Sequence, residues 1–249
     1  MNNIDKVSSR LANAFIKNKL IAPVPVKYAK NISEAEKLRV LCEKKVSWPI
    51  IGFKAGGTGI PVLKKLGEKE PFYASVYKRN FLKSGKFVKI NKYTLGIELE
   101  VCYLIKKNFF YFNKKINKKN VLKFISHVAP CIEVVGYRQR KKGIKSLGDL
   151  CSDFGANMKF VIGKMKKFKN IKTNNLSTNI SNKNQSVNGN TNTVYINPMN
   201  SLLFVLKKLQ KEKIKHDKDF YVFTGSSVGV VPILSKGVYI GKIEKLGIV

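Results

Sequence analysis

Two glutamates stand two residues apart inside the apolar run Leu95-Gly-Ile-Glu98-Leu-Glu100-Val-Cys-Tyr-Leu-Ile105. A run of this kind reads as a β-strand, whose side chains alternate with a period of two, so both carboxylates leave the same face. Like charges side by side in apolar surroundings are costly, and one is driven to protonate unless a cation is near. A third acid, Glu133, lies in Ala129-Pro-Cys-Ile-Glu133-Val-Val, a second apolar strand. Three carboxylates without a histidine make a hard, all-oxygen donor set, which suits Mg²⁺ or Mn²⁺ better than zinc. The competing reading puts Glu98 and Glu100 on an edge strand, facing solvent and paired with lysines. Spacing alone leaves both open.

The acids stand out because the chain has only 15 Asp and Glu against 48 Lys and Arg, a formal net charge of +33. A balance this basic is the footprint of a polyanion binder. Two features count against a nucleic-acid partner. Only five basic residues are arginine (Arg10, Arg39, Arg79, Arg138, Arg140), and direct base readout leans on arginine. The lysines also run from Lys6 to Lys245 beside a heavy use of Asn and Ile, as an AT-rich coding bias would produce. The aromatic cluster Phe109 to Phe112 amid lysines is read as a strand edge and turn packing on a neighbour rather than a base-stacking platform.

Length and composition bound the rest. At 249 residues with 44% apolar side chains, the chain is long enough to bury roughly 70–75% of its unfolded surface without disulfides or metal. Disorder, collagen-like repeats and a disulfide scaffold are excluded. No stretch approaches the ~18–20 apolar residues of a membrane span, and Met1 to Lys6 lacks a basic-then-apolar leader layout, so a cytoplasmic protein is expected. Cys42, Cys102, Cys131 and Cys151 are widely spaced, and His127 and His216 are the only histidines, which argues against zinc. Cys102 and Cys131 read as small core residues.

Periodicity predicts helices at the front and strands behind. Val7, Leu11, Ala14 and Phe15 share a helical face, and Ser33 with Glu36 reads as a capping box before a second helix carrying Ala35, Leu38 and Leu41. Ile50 to Lys54 is strand-like, Gly56-Gly57-Thr58-Gly59 a loop, and Pro61 to Leu66 a short helix stopped at Gly67. Phe87 to Ile90, Leu95 to Ile105 and Pro130 to Tyr137 read as strands, and Asn120 to His127 as a helix capped by Asn120, with His127 on its apolar face. Residues 164–193 contain a polar hairpin signalled by Leu176-x-Thr178-x-Ile180 and Asn188-Gly189; Pro198 to Leu209 is an amphipathic helix, and Phe220 to Val249 returns to short strands. The expected class is α+β, with a helical region over 1–48 and a β-rich domain over 49–249.

These residues resemble, in order, the 2-keto-4-pentenoate hydratase / 4-oxalocrotonate decarboxylase branch of the fumarylacetoacetate hydrolase superfamily, from about residue 34 to the end. Ile50-Ile51-Gly52-Phe53-Lys54-Ala-Gly is similar to the family's Val-Val-Gly-Trp-Lys-Ile-Gly, and Leu66 to Phe72 to its Leu-Gly-Val-x-x-Pro-x-Phe-Gly. Glu98-x-Glu100 followed by Ile132-Glu133-Val134-Val135 is similar to its metal-ligand strands. Cys151 to Gly163, Asn197-Pro198-Met-Asn200-Ser-Leu and Thr224-Gly225-Ser226 match three further segments.

The resemblance implies a β-rich mixed roll and a Mg²⁺- or Mn²⁺-dependent lyase of aromatic catabolism, ligated by Glu98, Glu100 and Glu133. Its substrate would be a 2-oxo acid or 2-hydroxy-dienoate, hydrated or decarboxylated through a metal-stabilised enolate. It implies Lys54 as the main catalytic side chain, Asp153 as an orienter of water or proton shuttle, and Thr58 and Ser226 as donors to the substrate carboxylate. A homo-oligomer is expected by the same route. The chain departs from the pattern where Phe154 replaces the usual Asn and Gly136 the usual Asp, while Arg138 is kept. Those losses leave a catalytically reduced member as an alternative. Lack of a candidate catalytic histidine makes C–C bond hydrolysis the weaker enzymatic reading, and a basic nucleic-acid-binding protein is the alternative from another class.

Overall fold

The computed structural model describes residues 3–139, 143–169 and 171–249, so Arg140 lies outside it. Helix α1 (Asn3–Lys17) buries Val7, Leu11, Ala14 and Phe15, the predicted face. Helix α2 (Ile32–Glu43) starts two residues before the predicted capping box: Asn31 is the cap, its side chain accepting from the Glu34 amide at 3.0 Å. The two helices pack over a cluster of Phe15, Leu38, Cys42, Tyr77 and Phe154.

The body is a mixed eight-stranded sheet made of β1 (Ile50–Gly56), β2 (Phe72–Tyr77), β3 (Phe81–Lys83), β4 (Thr94–Ile105), β5 (Ile125–Gly136), β6 (Asn157–Ile162), β7 (Lys166–Lys167) and β10 (Phe220–Ser226). Its order is β2-β1-β10-β4-β5-β6-β3, with β7 on β5; β1–β10 and β3–β6 are parallel and the other pairs antiparallel. A second sheet, β12-β11-β8-β9, holds β8 (Ser177–Ser181), β9 (Ser186–Asn190), β11 (Ile240–Ile243) and β12 (Gly247–Ile248). Helices α3 (Ile60–Lys65), α4 (Leu147–Ser152) and α5 (Pro198–Lys211) complete an α+β fold.

Strand β4 shows how the sheet sorts its side chains. Ile97, Leu99, Val101, Tyr103 and Ile105 face the main core with Leu202, Val205 and Leu206 of α5. Each such buried side chain contributes about 1.5–3 kcal/mol. Cys102 faces the other way, with Cys131, Ala129, Phe160 and Phe223. The cysteines are thus core residues, and all four are free and buried.

Several further expectations are corrected. Residues 120–127 are not a helix: a 3₁₀ turn (Val121–Phe124) runs straight into β5, the Asn120 side chain does not cap it, and His127 lies on the strand. Phe87 to Ile90 is irregular, with the Phe87 ring fully exposed, because no neighbouring strand is there to pair it. The predicted hairpin exists as β8–β9, but it turns at 182–185, where the Asn182 amide donates to the Gln185 carbonyl at 2.8 Å. Asn188-Gly189 lies within β9. The aromatic cluster at 109–112 is a 3₁₀ turn whose Phe109 and Phe110 rings pack on Phe220.

Candidate metal centre

Strands β4 and β5 pair so that Glu98 stands directly opposite Glu133, with Glu100 two residues on along the same face. One carboxylate oxygen of each lies within 4.8 Å of the others. Glu100 and Glu133 are wholly buried, and Glu98, partly exposed, marks the open side. The edge-strand alternative is therefore set aside, since β4 lies between β10 and β5 in the interior of the sheet.

Lys54 enters from β1. Its ammonium donates to Glu133 Oε1 at 2.7 Å and to the Gly155 carbonyl at 3.1 Å, which leaves one N–H uncommitted. On β10 the Gly225 amide donates to Glu100 Oε2 at 3.0 Å. That segment is stitched in place by three hydroxyls: Ser201 to the Thr224 carbonyl, Thr224 to the Val101 carbonyl and Ser227 to the Leu99 carbonyl. Thr58 abuts the same point, because a Cβ on Gly225 (φ 96°) would meet its Oγ1 at 2.0 Å. Only glycine allows both that contact and that backbone.

Burial pushes the Glu100 carboxyl up to about 7, against the opposing pull of the Lys54 ammonium. Glu133 and Glu98 are raised for the same leading reason, with Lys54 again opposing. Burial alone would lower Lys54, but Glu133 and then Glu98 and Glu100 outweigh it and hold the ammonium above its ordinary value. Lys54 therefore stays a cation and a proton donor. Glu100 Oε1 and Glu133 Oε2 are buried with no hydrogen-bond donor. Three carboxylates with two orphaned oxygens and a single ammonium cannot all ionise without a further cation beside them, which fits a divalent ion.

The remaining predicted residues are placed less directly. Ser226 is opposite Glu100 in register, but its hydroxyl donates to the Gly229 carbonyl at 2.8 Å and accepts from the Val228 amide, organising a turn. Both oxygens of Asp153 accept from Arg138, one from Nη1 at 2.8 Å and one from its backbone amide, so this carboxylate anchors the buried guanidinium. Neither histidine joins the centre. His127 is six residues from Glu133 along β5, about 20 Å, and His216 packs on Phe110 and Phe220. A groove of about 790 Å³ walled by Phe110, Phe112 and lysines lies beyond the far end of β4 and contains none of the predicted residues.

Sequence reasoning did not single out Gly155, Gly225 or the Arg138–Asp153 pair. Gly136, where the resemblance expects Asp, is tightly packed: a Cβ there would lie 2.4 Å from Met158 Sδ and 2.9 Å from the Tyr93 ring. Residues 154–156 also share an unusual backbone, with φ of 53°, 66° and 63° for Phe154, Gly155 and Ala156. Left-handed backbone costs a non-glycine residue roughly 1–2 kcal/mol, and a bulky ring makes it rarer still.

No protein-family model and no curated protein sequence matches the chain. Solved structures do. 4-Oxalocrotonate decarboxylase from Pseudomonas putida G7, complexed with calcium and acetate, superposes with a TM-score of 0.85 at 18% identity, over 99% of this chain and 95% of that one. Its complex with magnesium and adipate gives 0.84 at 17%, with the same coverage. Fumarylpyruvate hydrolase from Pseudomonas aeruginosa, in complex with Mn²⁺ and pyruvate, gives 0.59 at 12%, over 82% and 89%. The protein has the fold of 4-oxalocrotonate decarboxylase along its whole length, the mixed roll that the sequence resemblance implied.

Proposed function

We propose that the chain is a divalent-metal-dependent enzyme acting on a 2-oxo acid or its 2-hydroxy-dienoate tautomer, as a decarboxylase or hydratase. One observation carries this reading: Glu98, Glu100 and Glu133 bring their oxygens within 4.8 Å beside a buried ammonium, with two oxygens unpartnered. Glu98, Glu100 and Glu133 are the residues that would hold Mg²⁺ or Mn²⁺, and the ion would supply a Lewis acid for the substrate's carboxylate and 2-oxygen.

The chain's own groups support such a substrate. The uncommitted N–H of Lys54 is a donor for the carboxylate or for the oxyanion that develops as carbanion character appears. Held protonated, Lys54 can also deliver a proton to the substrate carbon. Thr58 sits over Gly225 at the edge of the centre and offers a hydroxyl. Ser226 shapes the adjacent turn, and Asp153 acts through Arg138 rather than on the substrate. The full-length likeness to a decarboxylase makes 2-oxo diacids the first class to screen.

The test is thermal unfolding with Mg²⁺, with oxalate, and with both, for wild type beside Glu100→Ala. Oxalate is a flat dianion that mimics a chelating 2-oxo-acid enolate. A ligand at 100 times its dissociation constant stabilises by about 2.7 kcal/mol. Mg²⁺ alone is expected to raise the wild-type midpoint, oxalate to raise it further only when Mg²⁺ is present, and both effects to vanish in the variant. No rise in wild type would overturn the proposal.

A further inference from the structure

The left-handed turn at 154–156 joins α4 to β6 and is held from several sides. The Asp153 carbonyl accepts from the Ala156 amide at 2.9 Å, and the Asp153 carboxylate is clamped by Arg138. Arg138 Nη2 also donates to the Asn157 carbonyl, just beyond the turn. Gly155 lies against β2 so closely that a Cβ would come within 2.7 Å of Ala74. The Phe154 ring stacks on Phe15 of α1, centroids 4.0 Å apart and planes 13° apart, and the Arg138 guanidinium lies 4.7 Å from that same Phe15 ring. A backbone this unfavourable persists only where its surroundings over-determine it, and such sites tend to be functional.

The turn aims one group inward, the Gly155 carbonyl, which accepts from Lys54 Nζ. With Glu133 accepting a second proton, the position of this carbonyl sets where the third N–H of Lys54 points. We propose that the turn Phe154–Ala156 is a positioning device for Lys54, held from outside the sheet by the Phe15–Phe154 stack, so that helix α1 takes part in ordering the catalytic ammonium. The role given to Lys54 rests on the function proposed above. The geometry gives Phe154, where the family resemblance expects Asn, a part to play: it links the N-terminal helix to the site. Phe154 and Phe15 are positioning residues, since neither reaches the metal centre.

Lys54 is the only buried lysine among the described residues, so its ammonium protons should exchange slowly enough to be seen by NMR in protein labelled with ¹⁵N at lysine Nζ. One such resonance is expected in wild type and none in Lys54→Met. Phe154→Leu and Phe15→Leu should each shift or broaden it, and Phe154→Tyr, which keeps the stack, should restore it. A second readout is oxalate affinity at saturating Mn²⁺. Phe154→Leu should weaken it about tenfold in the wild-type background and less than twofold in Lys54→Met. An unmoved resonance in a folded Phe154→Leu protein, or equal losses of oxalate affinity in both backgrounds, would overturn the proposal. If wild type binds no Mn²⁺ and oxalate, the function proposed above fails, and the NMR comparison still decides this one.

Discussion

Replacing Glu100 with glutamine should stabilise the metal-free protein and abolish its response to metal. Burial raises this carboxyl from an ordinary 4.5 to about 7. The folded value lies above the unfolded one, so between pH 4.5 and 7 the folded state holds a proton that the unfolded state has released. Stability of the metal-free protein therefore falls as pH rises through that window. At 1.36 kcal/mol for each pH unit, the loss is complete above pH 7 at about 3 kcal/mol. Glutamine keeps the shape and can still accept from the Gly225 amide, but it carries no charge. Metal-free Glu100→Gln should thus melt about 6–12 °C above metal-free wild type at pH 8, and near wild type at pH 5. Saturating Mg²⁺ should lift wild type by a similar amount, about 2.7 kcal/mol at 100 times the dissociation constant, and leave the variant where it was. The assay is calorimetry in EDTA and in Mg²⁺ at both pH values. A variant less stable than metal-free wild type at pH 8, or a gap that does not narrow by pH 5, would refute the charge argument.

Two further outcomes follow from features outside the carboxylates. Asp153→Asn leaves the buried Arg138 guanidinium without its counter-charge and should cost about 3–5 kcal/mol in urea unfolding; a loss below about 1 kcal/mol would show that the pair does not anchor the turn. Despite +33, DNA binding should be no tighter than about 10⁻⁶ M at physiological salt, and steeply salt-dependent; nanomolar binding that survives Glu100→Ala would move the assignment to nucleic acid.

The carboxylate cluster was legible because its key signal is local. Glu98 and Glu100 share one strand, and a period of two needs no knowledge of the fold to put them on one face. Glu133 was legible as a lone acid in an apolar run, though not its place opposite Glu98, which is a matter of pairing register. Lys54 is one lysine among many, and only the motif around it set it apart. Strand β2 escaped notice because Phe72 to Tyr77 is buried on both faces and shows no alternation. The false helix at 120–127 followed a cap-like Asn120 and the apolar Val121, Phe124 and Ile125 at helical spacing, all of which the structure buries. A 3₁₀ turn feeding a strand satisfies the same pattern. The turn at 154–156 was invisible for a different reason: two of its three left-handed residues are not glycine, and what holds them is an ion pair and a ring stack with residues outside the turn.

The packing at Gly136 bears on how this sequence can change. Met158 and Tyr93 occupy the volume that any side chain there would need, so an aspartate placed at 136 would force the Met158 side chain and the Tyr93 ring to move. Truncating Met158 to make that room would by itself open a cavity costing about 2–5 kcal/mol. The two positions touch, so the effects of substitutions at them should not add. An acid introduced at 136 is thus best tried together with a smaller side chain at 158, since the pocket that holds one is the pocket that the other fills.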